Sequence, residues 1–365
     1  MNENMVPLIN DRSRELKKKS KHLKVFPSKV TGKTMPIAPL HIETPLIESR
    51  PLSLCCQRSI RLKLEALQPS GSFKIRGIGA ACQEYFHRGA QRFISSSGGN
   101  AGVAVAYAGR CLKVPVIVVV PETTPQRARE VIRQEGAELI VSGSSWQEAN
   151  EEAQSMLRDT DAFLHPFDDP LLWRGHASMI DEIAQTGCRP DAIMLSVGGG
   201  GLLAGVVAGL HRNSWQHVPV IAVETEGADS FNQSILAGHR IHLEKIASIA
   251  TSLGAKQVCE RAYQIFHEHP IKSIVVSDEA AISSCWRFLD DQRLLVEPAC
   301  GAALAPVYEN HPVLAEYKTV VVVVCGGVTT SAEQLCQWLK QYGRAALVSF
   351  SQLPSSVSQE KYNHP

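Results

Sequence analysis

The chain has 365 residues, of which 44% are hydrophobic and 20% charged, with Lys plus Arg at 37 against Asp plus Glu at 36. That is chain enough for about two domains of roughly 150 residues, and too apolar for general disorder. A formal net charge of +1 excludes a polyelectrolyte that holds nucleic acid or membranes by bulk charge and points to a small-molecule partner.

In chain order, residues 1–37 are polar and carry Lys17, Lys18, Lys19, Lys21 and Lys24, with Glu3, Asp11 and Glu15 setting them apart from a transit peptide. A flexible, solvated arm is expected. Runs rich in β-branched residues then predict strands over 92–96, 115–120, 138–141, 192–197, 218–224, 274–277 and 319–325. Helices are predicted over 102–112, 125–134, 145–158, 202–211, 252–267, 278–292 and 298–309. The alternation predicts an α/β fold, a mostly parallel sheet covered by helices on both faces. The Ser-, Gln- and Pro-rich residues 349–365 are expected to form a flexible tail.

Residues 192–210 carry no charge over about the length of a membrane span, but four of them are consecutive glycines, each costing a helix about 1 kcal/mol. Strand, loop and helix are predicted there, and no transmembrane segment. Ten cysteines without a C-x-x-C pair or a secretory signal imply a reduced, cytoplasmic protein. The pairs His239 with His242 and His267 with His269 lack the companions of a metal site and read as surface histidines.

Ligands of open α/β sheets bind beyond the carboxyl ends of the strands. Gly198, Gly199, Gly200 and Gly201 follow a strand and open a helix, so unobstructed N–H groups and the helix dipole can hold a phosphate. Packing alone would need one or two glycines rather than four. Gly199, Gly201 and Ala204 also fit the dinucleotide pattern G-x-G-x-x-A, with Glu224 where a ribose-binding acid would stand. That alternative leaves two other segments unexplained. One reads Ser70-Gly71-Ser72-Phe73-Lys74-Ile75-Arg76-Gly77. The other reads Ser95-Ser96-Ser97-Gly98-Gly99-Asn100-Ala101-Gly102 and offers hydroxyls and N–H groups to a carboxylate.

These segments, with Glu297-Pro298-Ala299-Cys300-Gly301-Ala302-Ala303 and Cys325-Gly326-Gly327, occur in the order found in fold-type II pyridoxal-phosphate enzymes. Over about residues 38–345 the chain resembles most the animal-type serine/threonine ammonia-lyases. The resemblance implies two open, twisted, mostly parallel sheets flanked by helices, with a small domain over 68–169 and a large domain over 38–67 and 170–348. It implies that Lys74 forms the Schiff base with pyridoxal 5'-phosphate, that Phe73 packs on the ring, and that Gly198 to Gly201 hold the phosphate. Asn100 would bond the ring hydroxyl and Cys325 would face the pyridine nitrogen. Ser96, Ser97, Gly98, Gly99 and Asn100 would receive the amino-acid substrate, with Ser97 counted beside Lys74 as catalytic. Glu224, with backbone oxygens near Ala228, Leu253 and Ala255, would hold a monovalent cation such as K+. A homodimer is implied, and neither nucleic acid nor membrane is a partner.

The expected reaction is β-elimination, turning L-serine into pyruvate and ammonia and L-threonine into 2-oxobutanoate and ammonia. A lysine serves as base only when neutral, and burial favours that form. A thiol opposite the ring nitrogen is a weaker partner than a carboxylate, which favours prompt loss of a β-leaving group. Gly98 stands where some family members have Ala, and a looser loop there would alter serine turnover. The alternatives are a β-replacement enzyme of the same fold, an NAD-binding protein, or a catalytically idle family member.

Overall fold

The computed structural model describes residues 38–342; the expected arm over 1–37 and tail over 349–365 lie outside the described residues. Ten strands are present among them: β1 Leu46–Glu48, β2 Ser59–Lys63, β3 Arg92–Ser95, β4 Val116–Val120, β5 Glu138–Val141, β6 Asp161–Phe163, β7 Ala192–Ser196, β8 Val220–Thr225, β9 Ile271–Val276 and β10 Thr319–Val323. They form two sheets, one in the order β1-β2-β10-β7-β8-β9 and one in the order β5-β4-β3-β6. Every pairing is parallel except the β1 edge on β2. This is the two-sheet α/β architecture of fold-type II enzymes.

The central strands read Val-Ile-Val-Val-Val in β4 and Thr-Val-Val-Val-Val in β10, and nearly all of these residues are buried. Helices cover both faces of a parallel sheet, so its strands are apolar on both sides instead of alternating. One core forms around the six-stranded sheet and includes Ile60, Met194, Val223 and Val322; a second gathers Phe93, Val105, Val118 and Leu164 around the other sheet, reaching Ile75 and Ile78. No described helix is long and apolar enough to cross a membrane.

Three strands escape the sequence pattern. β1 and β6 have three residues each, and β2 reads Ser-Ile-Arg-Leu-Lys. The helix expected over 252–267 is also corrected: Thr251–Leu253 is a 3-10 turn, and the α-helix is Glu260–Glu268. Turn bonds from Leu253 N to Ala250 O, Gly254 N to Thr251 O and Ala255 N to Leu253 O occupy that stretch. Its backbone is pressed to the glycine loop, where a Cβ on Gly198 would stand 2.9 Å from Leu253 Cα.

A buried charge cluster ties the helix Lys74–His87 to the large sheet. Arg76 Nε and Nη2 donate to the two oxygens of Glu65 at 2.7 and 2.8 Å, while Nη1 and Nη2 donate to those of Glu182 at 2.6 and 2.7 Å. Lys63 Nζ donates to Glu182 and, at 2.7 Å, to Thr44 O. Arg76 and Glu65 are 0% exposed. Burial opposes the Arg76 charge, and the hydrogen bonds to Glu65 and Glu182 overcome that, raising its pKa. Two cations and two carboxylates close the cluster electrically, which is what buried charge requires.

Candidate active site

The loops after β3, β7 and β10 converge, as strand ends of an open sheet allow. Lys74 begins the helix Lys74–His87 behind Phe73, a residue with no side chain to cap it. The tight approach of two loops sets its place: Ser72 bridges Gly326, Phe73 N donates to Cys325 O at 3.1 Å, and Gly327 N donates to Gly71 O at 3.1 Å. Gly71 has φ +75°, and a Cβ there would stand 2.5 Å from Val328 Cβ.

Half-buried Lys74 gives its Nζ to Pro166 O at 2.7 Å, and Nζ lies 5.1 Å from the centre of the Phe73 ring. Burial lowers its pKa to about 8, although Glu297, Cys325 and Cys259 pull it the other way. The amine is therefore available as a nucleophile or base near neutral pH. Phe73 also meets His176 at 5.0 Å between ring centres. His176 is fully buried with neither ring nitrogen bonded, and burial holds its pKa well below the usual histidine value.

Residue 167 connects Lys74 to the glycine loop. Next to Pro166, the Phe167 ring lies where a Cβ on Gly199 would come within 2.2 Å, and Phe167 O where one on Gly201 would come within 2.6 Å. A Cβ on Gly200, at φ +89°, would meet Ala262 Cβ at 2.4 Å. All four glycines are hemmed in by protein, which corrects the expectation that packing needs one or two. Among the described residues none accepts a hydrogen bond from the N–H of Gly198, Gly199, Gly200 or Gly201, and these donors open the helix Gly201–Arg212, an anion cradle by charge and direction. Gly200→Ala should cost about 2–5 kcal/mol in urea unfolding, from the left-handed backbone and overpacking together.

Asn100, at the start of the helix Asn100–Leu112, is 6% exposed. Its Nδ2 donates to Glu297 Oε1 at 2.8 Å, and its Oδ1 is buried with no partner. Glu297 was legible in the sequence only as part of a motif, and His165 and Phe167 were missed. His165 Nδ1 accepts from Asp168 N at 2.8 Å; burial, with the Lys74 charge beside it, lowers its pKa to about 4, so it stays neutral. Cys325 Sγ stands 3.8 Å from Ser196 Oγ, and the neighbouring Cys300 thiol together with burial keeps it protonated.

The serine loop is only partly open to a ligand. Ser96, 0% exposed, gives its hydroxyl to Asn150 Oδ1 at 2.8 Å, while Ser97 Oγ accepts from Gly99 N at 3.4 Å and is half-buried. At Gly98 a Cβ would come within 2.7 Å of the Thr124 side chain. Glu224 stands apart from this group. Its oxygens accept from Phe231 N at 2.9 Å and Asn232 N at 2.7 Å, and burial raises its pKa to about 8. A carboxylate 0% exposed and bonded in this way offers no oxygen to a ribose, which removes the support for a dinucleotide.

Lys74, Asn100, Cys325 and the glycine cradle fit pyridoxal phosphate: a lysine that loses its proton readily, an orphaned polar atom in the cleft, and free N–H groups for the phosphate. A family model described as pyridoxal-phosphate dependent enzyme matches residues 37–326. The human protein named L-serine dehydratase/L-threonine deaminase is 46% identical over 316 residues, 84% of this chain and 96% of that one. The human protein named serine dehydratase-like is 48% identical over 307 residues, 81% and 93% of the two chains. The crystal structure of a fungal L-serine ammonia-lyase from Rhizomucor miehei superposes with a TM-score of 0.80 at 38% identity, covering 83% of this chain and 99% of that one. Likeness over this much of the chain, on a fold that brings the lysine and the glycine loop together, makes the assignment plain: the chain belongs to the family of pyridoxal-phosphate-dependent enzymes.

Proposed function

We propose that this protein is a pyridoxal-phosphate-dependent ammonia-lyase that converts L-serine to pyruvate and ammonia, and L-threonine to 2-oxobutanoate and ammonia. The observation that carries the reading is the placement of Lys74, whose Nζ donates to Pro166 O at 2.7 Å, next to the Phe167 that packs against Gly199 and Gly201 of the cradle. Bound pyridoxal phosphate supplies an electron sink for the electrons released at the substrate α-carbon. Lys74 anchors it and then, as a neutral amine, takes the α-proton. The N–H groups of Gly198 to Gly201 bind the phosphate, Asn100 orients the ring, and Phe73 packs on it. Cys325, a protonated thiol, would be the partner of the ring nitrogen and would supply no full charge to it. Ser97 and the backbone of Ser96, Gly98 and Gly99 receive the substrate carboxylate. The β-hydroxyl leaves as water by taking up one proton, which balances the one Lys74 removes, and the enamine released, aminoacrylate from serine or aminocrotonate from threonine, is hydrolysed to the oxo acid and ammonia.

The four-stranded sheet lies within 68–169, which supports a small domain there against a large domain built from 38–67 and the residues after 169. Ten free cysteines support a reducing cytoplasm. A K+ held by Glu224 with backbone oxygens near Ala228, Leu253 and Ala255 rests on the resemblance. Homodimer assembly rests on the resemblance.

Incubation of the cofactor-loaded protein with L-serine and with L-threonine, read by oxo-acid and ammonia formation, tests the reading. Both products are expected from each substrate; cofactor binding with no oxo acid from either would overturn it. The Lys74 pKa gives a second expectation. Capture of pyridoxal phosphate by the cofactor-free protein needs the neutral amine, so its rate, followed by stopped-flow absorbance, should rise with pH up to about 8 and level off above.

A further inference from the structure

Glu297 takes no part in the chemistry above, yet a carboxylate at 4% exposure is costly to keep. Its backbone is clamped before the helix Pro298–Tyr308. Glu297 N donates to Gly326 O at 3.3 Å, and Glu297 O accepts from Cys300 N at 2.8 Å, Gly301 N at 3.0 Å and Cys285 Sγ at 3.2 Å. Gly327 makes room for the side chain, since a Cβ there would stand 2.5 Å from Glu297 Cβ. The side chain so placed meets Asn100 Nδ2 at 2.8 Å.

A carboxylate is an acceptor only, so it decides which end of an amide it meets. Reversed, the Asn100 amide would set Oδ1 against Glu297 Oε1, two acceptors in contact. No other described group holds the amide, because Oδ1 has no partner. We propose that Glu297 is a positioning residue, locking the Asn100 amide so that one N–H goes to Oε1 and the second is kept for an acceptor on the bound cofactor. The inference rests on the pyridoxal-phosphate reading above. Lys74, Asn100, Ser252, Cys285 and Cys325 are the titratable and polar groups that face Glu297. Burial raises its pKa to about 7, against the hydrogen bonds from Asn100 and Ser252 and the Lys74 charge.

Glu297→Gln tests the lock with almost no change of shape. A Gln amide can accept from Nδ2 or donate to Oδ1, so both orientations of Asn100 become acceptable. The Kd for pyridoxal phosphate, titrated into the cofactor-free protein by absorbance, should rise about 3- to 10-fold, the worth of one hydrogen bond. Asn100→Ala should weaken binding at least as much, and the double variant should bind no more weakly than Asn100→Ala alone, since both changes remove one contact. A second measurement leaves Glu297 in place. The affinity advantage of the wild-type protein over Asn100→Ala should shrink as pH falls through about 7, where protonated Glu297 can donate to Oδ1 as well. An unchanged Kd in Glu297→Gln, additive losses in the double variant, or a pH-independent advantage would each overturn the lock. Failure of the wild-type protein to bind the cofactor would instead overturn the reading beneath it.

Discussion

Lys74→Ala should fold and still dock pyridoxal phosphate weakly through the glycine cradle, but lose oxo-acid formation by about 10²–10⁴-fold or more, the range one positioned acid or base supplies. Two losses combine. The alanine can neither anchor the cofactor nor take the α-proton, and His165, an imidazole that feels the Lys74 charge, is already bonded through Nδ1 to Phe167 N and Asp168 N. Melting temperature should change little, because Lys74 gives the fold a single hydrogen bond, to Pro166 O. Steady-state assays beside a thermal melt separate the two. Residual turnover within tenfold of the wild-type rate would show that another group removes the proton.

Arg76→Met should act in the opposite way, on stability first. Removing the guanidinium leaves Glu65, at 0% exposure, with only the neutral donors Thr44 Oγ1 and Gln68 Nε2, and leaves Glu182 with Lys63 as its one cation. Breaking a buried pair from one side costs about 3–5 kcal/mol, equivalent to a fall in melting temperature of roughly 6–20 °C for a domain of this size. Adding Glu65→Gln to the same chain should restore part of that loss, since it removes the stranded charge while Glu182 keeps its pair with Lys63. The cluster also has a pH signature. Burial raises the Glu182 pKa, but Arg76 and Lys63 outweigh it and hold it below the usual carboxylate value. Its contribution is therefore present above the ordinary carboxylate range and is lost as pH falls through the lowered value. A melting temperature within 2 °C of wild type for Arg76→Met, a threshold well below the expected range, would contradict the account of this cluster.

Long β-branched runs such as those of β4, β7 and β10 were legible because strands buried on both faces must be apolar throughout. β2 was not, since it buries a charge: Lys63, polar in the sequence, is matched by a carboxylate from a helix 119 residues away. Residues 252–259 were expected to begin the helix over 252–267, but that backbone is pressed to Gly198 across the fold. The same division runs through the site. Lys74, Asn100, Cys325 and the glycine run carried motifs, whereas His165 and Phe167 come from a segment whose proximity to Lys74 exists only after folding. Glu297 opened one of the motifs, but its contact with Asn100 Nδ2 exists only in the fold. The four glycines had a second reason to be glycine, visible only once Phe167, Leu253 and Ala262 were in place.

The measurement that bears most directly on the whole account is reduction of the purified, cofactor-loaded protein with sodium borohydride, followed by digestion and mass spectrometry. Borohydride converts a lysine-bound pyridoxal phosphate to a stable secondary amine. The account predicts that the pyridoxyl mass appears on the peptide containing Lys74 and is absent from the Lys74→Ala protein. Labelling at another lysine, or none in a protein that turns over L-serine, would contradict it.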